Sequence, residues 1–390
     1  MENPGTKKEK LNTMSGARDG RNYGLDLMRC VAMIMVVILH YLGKGGILVS
    51  HSFQGAYEAK DVTSWFLEAL CIVAVNLYML MSGYLLSAGS FKLSRLLGLV
   101  VKIWLYSVIV GFAGIALGTP TETVDTYFRL RLLLPISMNT YWFMTAYVLF
   151  YCLVPVLSMA AKDMDKKKMQ VVIGCLLFFH VILKTILPVK LENDAIGMDA
   201  MWYIVLFFIA AYIRRFVTVK KTAGFFVGYV LCAFLITGES LVLRAIYLKT
   251  GSLSYILGVS YDYNHIFVLA GAVMLFMAFL NLNISEKAGR VFAFLGKYSL
   301  GVYLLHENLS VRYYWESLLW SDKTSGVIQT IVFPISAGII VFLTGVIIDF
   351  ITSRIAFRVL AILKKAPVFK SFFSFIGSVD MRFAKPRGDA

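Results

Sequence analysis

Arg29 and His40 lie eleven residues apart in the apolar run LMRCVAMIMVVILHYLG, residues 27–43. An α-helix turns 100° per residue, so eleven steps end about 20° past three full turns. The guanidinium and the imidazole therefore share one face, about 16 Å apart along the axis. A cation can hold an anionic substrate, and a neutral imidazole can take a proton near neutral pH. Lined up on one wall, the two would serve a reaction that grips a molecule at one point and deprotonates at another. Lipid makes such residues costly. An Arg at mid-helix costs about 2.5–3.5 kcal/mol on insertion scales, and less near the interface, where it snorkels. His40 has no such escape and must face protein or a water-filled cavity. Singly, Arg29 reads as an interfacial anchor and His40 as a hydrogen bond to a neighbouring helix. Their alignment favours one cavity that reaches both.

Other polar groups recur at similar depth. VNLYMLMSGYLL carries Asn76 and Ser82–Gly83, with Glu68 further out on the same segment. FKLSRLLGLVVK places Lys92, Arg95 and Lys102 at the start of the next, and Trp142 and Tyr147 open NTYWFMTAYVLFYCLVPVL. LGKYSLGVYLLHEN holds Lys297, then His306–Glu307. The plainer readings are an aromatic interfacial belt for Trp142 and the tyrosines, orienting charge for Lys92 and Arg95, and close helix packing at Ser82–Gly83.

The elements that must position these residues follow from composition. Of 390 residues, 59% are hydrophobic and 16% charged, and the mean hydropathy is +0.73. Soluble chains sit near half apolar and a quarter charged. This is the composition of an integral membrane protein. Ten apolar segments are long enough to cross a bilayer: 25–43, 64–87, 96–118, 140–160, 170–188, 200–217, 222–246, 263–283, 294–313 and 326–350. With the N-terminus inside, 28 of the 38 Lys and Arg fall on cytoplasmic segments, as the positive-inside rule requires. The expectation is an all-α membrane protein of about ten transmembrane helices with both termini cytoplasmic. It comprises a tail over 1–24, a membrane domain over 25–350 and a basic tail over 351–390. In that last tail Ile351, Ile355, Val359 and Ile362 alternate with Arg354, Arg358, Lys364 and Lys365, the pattern of an amphipathic helix on the inner leaflet. The net charge of +15 is thereby accounted for by topology, and nucleic acid is excluded as a partner. The five cysteines show no metal spacing and read as packing residues. No cleavage site follows the first apolar run, which reads as a signal-anchor helix.

R-x10-H in the first helix, LMSGYLL in the second, a basic pair opening the third, YWFMTAYVLFYCLVPVL and the late YSLGVYLLH occur in this order. Together they resemble the acyltransferase 3 family of bacterial membrane O-acyltransferases over residues 22–350. The resemblance implies ten helices in the bacterial cytoplasmic (inner) membrane. It also implies acetyl-CoA or another short acyl-CoA as cytoplasmic donor, and a cell-surface glycan or lipid-linked sugar as acceptor. His40 takes the place of the family's presumed catalytic histidine, and Arg29 that of its arginine. The family's R-x-x-R is K-x-x-R here, Lys92 to Arg95; lysine offers a point charge where arginine offers a planar fork.

On this basis His40 is the expected base and Arg29 its catalytic partner. Arg95, Lys92, Lys102 and Lys297 are expected to hold the CoA phosphates at the cytoplasmic mouth. Asn76, Trp142, Tyr147, His306 and Glu68 are expected on the acceptor side, with Asn76, Tyr147 or Trp142 able to donate to the oxyanion. No metal is expected. Rival readings are a transporter or flippase of lipid-linked sugar, which would use the same cavity without chemistry; a glycan polymerase; and a structural partner in glycan assembly. The outer segments 44–63 and 119–139 are short for a polymerase, and none is long enough to form an extracellular esterase domain.

Overall fold

The computed structural model describes residues 21–187, 191, 194–218, 222–252 and 254–384. Among these the chain is helical, with no strand. Helix α1, Tyr23–Lys44, begins where the Asn22 side chain accepts from the Leu25 N–H, and carries Asp26 in its first turn. Both features suit the positive end of a helix. Helices α2, Ala59–Cys71, and α3, Ala74–Leu86, follow almost without interruption, then α4, Leu93–Leu117, and the short α5, Thr126–Leu133. Helix α6, Trp142–Asp163, leads to α7, Lys166–Leu177, which passes through a π turn at Phe178–Ile182 into α8, Leu183–Ile186. Then come α9, Ala200–Phe216, and α10, Ala223–Thr250. A 3-10 stretch at Ser254–Tyr261 precedes α11, Ile266–Leu280. The last helices are α12, Glu286–Lys297; α13, Ser299–His306; α14, Trp315–Leu318; α15, Val327–Lys365; and α16, Pro367–Arg382.

Eight helical stretches among the described residues are long and apolar enough to cross a membrane: 23–44, 59–86, 93–117, 142–163, 166–186, 223–250, 254–280 and 327–356. They match eight of the ten expected segments. The sixth expected segment is the 17-residue α9. Its Trp202, Tyr203, Val205, Leu206 and Phe207 are buried inside the body. The ninth, 294–313, is not one continuous helix. Charged α12 ends at Lys297, α13 runs only to His306, and the chain then turns. Asn308 is fully buried there and donates to the Tyr106 and Ser107 carbonyls and the Tyr141 hydroxyl, at 3.2, 3.3 and 3.1 Å. Irregular backbone at this depth survives because protein satisfies its polar groups.

Helix α1 is the central post, packed on α3, α12 and α15. Gly83 lets α3 and α9 close up: a Cβ there would stand 2.8 Å from the Phe207 Cα. Small residues that admit a neighbouring backbone are how helices associate where lipid gives no hydrophobic push.

The expected surface helix over the tail is also redrawn. Helix α15 continues unbroken to Lys365, with Ile351, Ile355 and Ile362 exposed along it. The side chains of Val359 and Lys364, and residues 1–20, lie outside the described residues. A separate helix, α16, starts only at Pro367, a residue pre-set for a first helical turn. Its Asp380 accepts from the Ser94 N–H at 3.2 Å. It thereby supplies the cap that Lys92, at the start of α4, does not provide.

Candidate active site

Arg29 and His40 line one cavity of about 1010 Å³. Along α1 its wall runs from Arg29 to Gly43, fourteen helical steps or about 21 Å. Arg21, Arg95 and Lys297 border the end near Arg29, and Leu48 and Glu68 border the end past His40. Trp142 and Tyr147 line the passage. The shared face deduced from the eleven-residue spacing is thus a single cavity wall.

At one end Asp26 positions the cations. It accepts from Arg21 Nε at 2.6 Å and lies 3.6 Å from Arg29 Nη1. The Tyr78 hydroxyl donates to the Arg29 carbonyl at 2.8 Å, and Arg29 Nη2 contacts Met81 Sδ at 3.6 Å. Tethered on one side only, the Arg29 guanidinium keeps donors for a ligand.

At the other end His40 is part of a polar network. Its Nδ1 lies 2.9 Å from His306 Nε2 and 3.2 Å from Glu307 Oε1. His306 Nδ1 lies 2.6 Å from the Val302 carbonyl. Lys44 donates to Glu307 Oε1, and Arg312 stands 3.9 Å from Glu307 Oε2. His306 is 2% exposed. The His40 side chain keeps 22% exposure, which the cavity explains. His40, His306 and Glu307 bring three ligand atoms within 4.8 Å of one another, a set that could receive a metal ion. The Lys44 ammonium already on Glu307 opposes a divalent cation there.

Four expected site residues stand elsewhere. Asn76 is fully buried and committed: its Nδ2 donates to the Tyr263 carbonyl at 2.7 Å and its Oδ1 accepts from Trp202 Nε1 at 2.8 Å. Its second Nδ2 hydrogen does not reach the cavity, since Asn76 is fully buried and absent from the cavity wall; it instead fixes Tyr263, which stacks on Trp142 at 5.7 Å. Lys102 pairs with buried Asp349 at 2.6 Å and is not on the cavity wall. Charge of that kind is spent within the protein. Lys92, exposed, begins α4 one turn before Arg95 and is outside the lining. His306 sits behind His40 and away from the cavity. Glu307, Lys44 and Arg312 carry the network; the sequence marks Glu307 only as a polar neighbour of His306 and gives Lys44 and Arg312 no role. One signal was present: Lys44 follows His40 by four residues, the same helix face.

Glu316, in α14, is 2% exposed, and among the described residues neither carboxylate oxygen has a well-formed hydrogen bond. Burial pushes its carboxyl up from 4.5 to about 7, against the pull of its own backbone N–H and of Lys44. The folded protein therefore keeps a proton that the unfolded chain releases, so stability falls as pH rises from about 4.5 to about 7 and then levels. Glu316→Gln removes that slope, worth up to about 3 kcal/mol. Thermal melts in detergent should show the variant unchanged at pH 5 and several degrees more stable at pH 8.

A largely apolar cavity in an all-helical body, with cations at one end and an imidazole on the same wall, suits a membrane enzyme. Comparison with known proteins agrees. No curated protein and no solved structure matches the chain. The sequence model of the acyltransferase 3 family, described as an acyltransferase domain, matches residues 22–352, most of the chain. The protein belongs to this family and is a membrane acyltransferase.

Proposed function

We propose that the protein moves a short acyl group, acetyl first among them, from cytoplasmic acyl-CoA to a hydroxyl of a cell-surface glycan or its lipid-linked precursor. Its place would be the bacterial inner membrane. The observation that carries this reading is the one cavity that joins the Arg29 end to His40. CoA has phosphates at one end of a long thin arm and its thioester at the other. Arg95, Lys297, Arg21 and Arg29 offer cations for the phosphates, and the passage along α1 offers room for the arm. The acceptor enters from the end at Glu68 and Leu48, where the stacked Trp142 and Tyr263 present flat apolar faces.

His40 takes the proton of the acceptor hydroxyl as its oxygen attacks the thioester carbonyl. The new C–O bond forms, the C–S bond breaks, and the imidazolium returns the proton to the departing thiolate, giving free CoA and the ester. Tyr147 and Trp142, both on the wall, are the remaining candidates to steady the oxyanion.

The test is purified protein in proteoliposomes with labelled acetyl-CoA and a panel of glycans. Transfer of label supports the reading; movement of glycan without label transfer would favour a flippase. In the same assay Arg95→Ala is expected to raise the donor KM about tenfold or more, the loss of one charge-assisted phosphate contact, with kcat within about twofold. An unchanged KM would free Arg95 of that task.

A further inference from the structure

The hydrogen bonds behind His40 decide which of its nitrogens carries the proton. A backbone carbonyl can only accept, so His306 Nδ1, 2.6 Å from the Val302 oxygen, must hold a hydrogen. A neutral His306 then has its lone pair on Nε2. His40 Nδ1 lies 2.9 Å from that atom, and of two nitrogens in contact one must donate. The donor is His40 Nδ1. Its other neighbour, Glu307 Oε1 at 3.2 Å, also accepts. The one escape is a doubly protonated His306, which would add a third positive charge to Lys44 and Arg312 around Glu307.

We infer that Val302, His306 and Glu307 form a tautomer lock that keeps the His40 proton on Nδ1 and its lone pair on Nε2, the nitrogen left for the cavity. His306 and Glu307 are positioning residues: they act on substrate only through His40. The inference deepens the proposed function and rests on it for its catalytic consequence, though not for the tautomer itself. When His40 Nε2 takes the acceptor proton, the imidazolium keeps its Nδ1–H against His306 and the Glu307 carboxylate. No second proton moves. Lys44 and Arg312 hold Glu307 as the anion that faces the new positive charge. This is the division of labour of a base oriented by a buried carboxylate, where the wrong tautomer costs about 10⁴-fold in rate in a well-studied protease.

The test reads the tautomer directly. The full chain, labelled with ¹⁵N-histidine and held in lipid nanodiscs, gives separate signals for protonated and unprotonated ring nitrogens. There are five histidines, and His40 is assigned by its loss in His40→Gln. The expected result at neutral pH is a protonated Nδ1 and an unprotonated Nε2 at His40. A proton on Nε2, or an even mixture, overturns the lock. His306→Phe keeps bulk and removes the nearer of the two acceptors, leaving only the longer contact to Glu307. It should weaken the Nδ1 preference at His40, and His306→Phe combined with Glu307→Leu should abolish it and lower kcat by 10²-fold or more, with donor KM within about twofold. Full activity in the double variant also overturns the inference. The outcomes separate the two claims: a protonated Nδ1 together with an active His40→Ala would leave the lock standing and remove the catalytic reading.

Discussion

Alanine at position 40 is expected to lower acyl transfer by about 10²–10⁴-fold, the usual worth of a positioned general base, while donor affinity stays within about twofold. The split follows from the layout. His40 sits past the middle of α1, whereas the cations suited to the phosphates border the opposite end of the cavity. Truncating the ring removes the proton acceptor and touches none of those cations. The imidazole is also not a pillar of the fold. Its polar contacts run to His306 and Glu307, and Glu307 keeps Lys44 and Arg312 when the ring is gone. The variant should therefore fold, and its melting temperature should lie within a few degrees of the parent. Initial rates with labelled acetyl-CoA, beside equilibrium binding of the donor, separate the two effects. A parallel loss of rate and affinity would mean that His40 grips substrate and does not activate it.

The second large effect concerns stability. Asp349 of α15 is fully buried, accepts from Lys102 of α4 at 2.6 Å and from the Tyr106 hydroxyl at 2.7 Å, and packs closely on Gly301 of α13. Three helices meet at one carboxylate. Asp349→Ala leaves the Lys102 ammonium and the Tyr106 hydroxyl without their shared carboxylate, and breaking a buried pair from one side costs up to about 3–5 kcal/mol, less where the remaining charge is partly exposed as Lys102 is. Replacing both partners, Lys102→Met with Asp349→Leu, should cost less than Asp349→Ala alone, because no charge is left unpaired. Melting of the three proteins in one detergent checks the order. If the double variant proves the least stable, side-chain packing at this point outweighs the charge balance.

The contrast between Lys102 and Arg95 shows what spacing in a sequence can and cannot convey. Both lie on α4, seven residues apart, and both read as basic groups at one mouth. Arg95 reaches the cavity; Lys102 is neutralised by a residue some 250 positions away. Nothing in the local pattern announces such a partner. Asn76 teaches the same lesson, since its two bonds go to Tyr263 and Trp202 on distant segments. Arg29 and His40 were legible because one helix fixes their relation, and helical geometry is known in advance. Most of the spans were legible for a similar reason, as the lipid requirement acts on each segment by itself. Residues 294–313 read as one segment because their hydropathy is shared between the end of α12, a short buried helix and a turn enclosed by protein. Hydropathy cannot tell lipid from a protein interior.

An acyl-CoA lying in the cavity along α1 with its thioester at His40 would be visible in a structure of the protein with a non-cleavable donor, CoA carrying an acetonyl thioether in place of the acetyl thioester. The expected density has phosphates beside Arg95 and Lys297, the arm running past Arg29, and the ketone carbon within about 4 Å of His40 Nε2. An analogue bound outside this cavity, or one whose ketone stops short of His40 with protein between them, would contradict this placement.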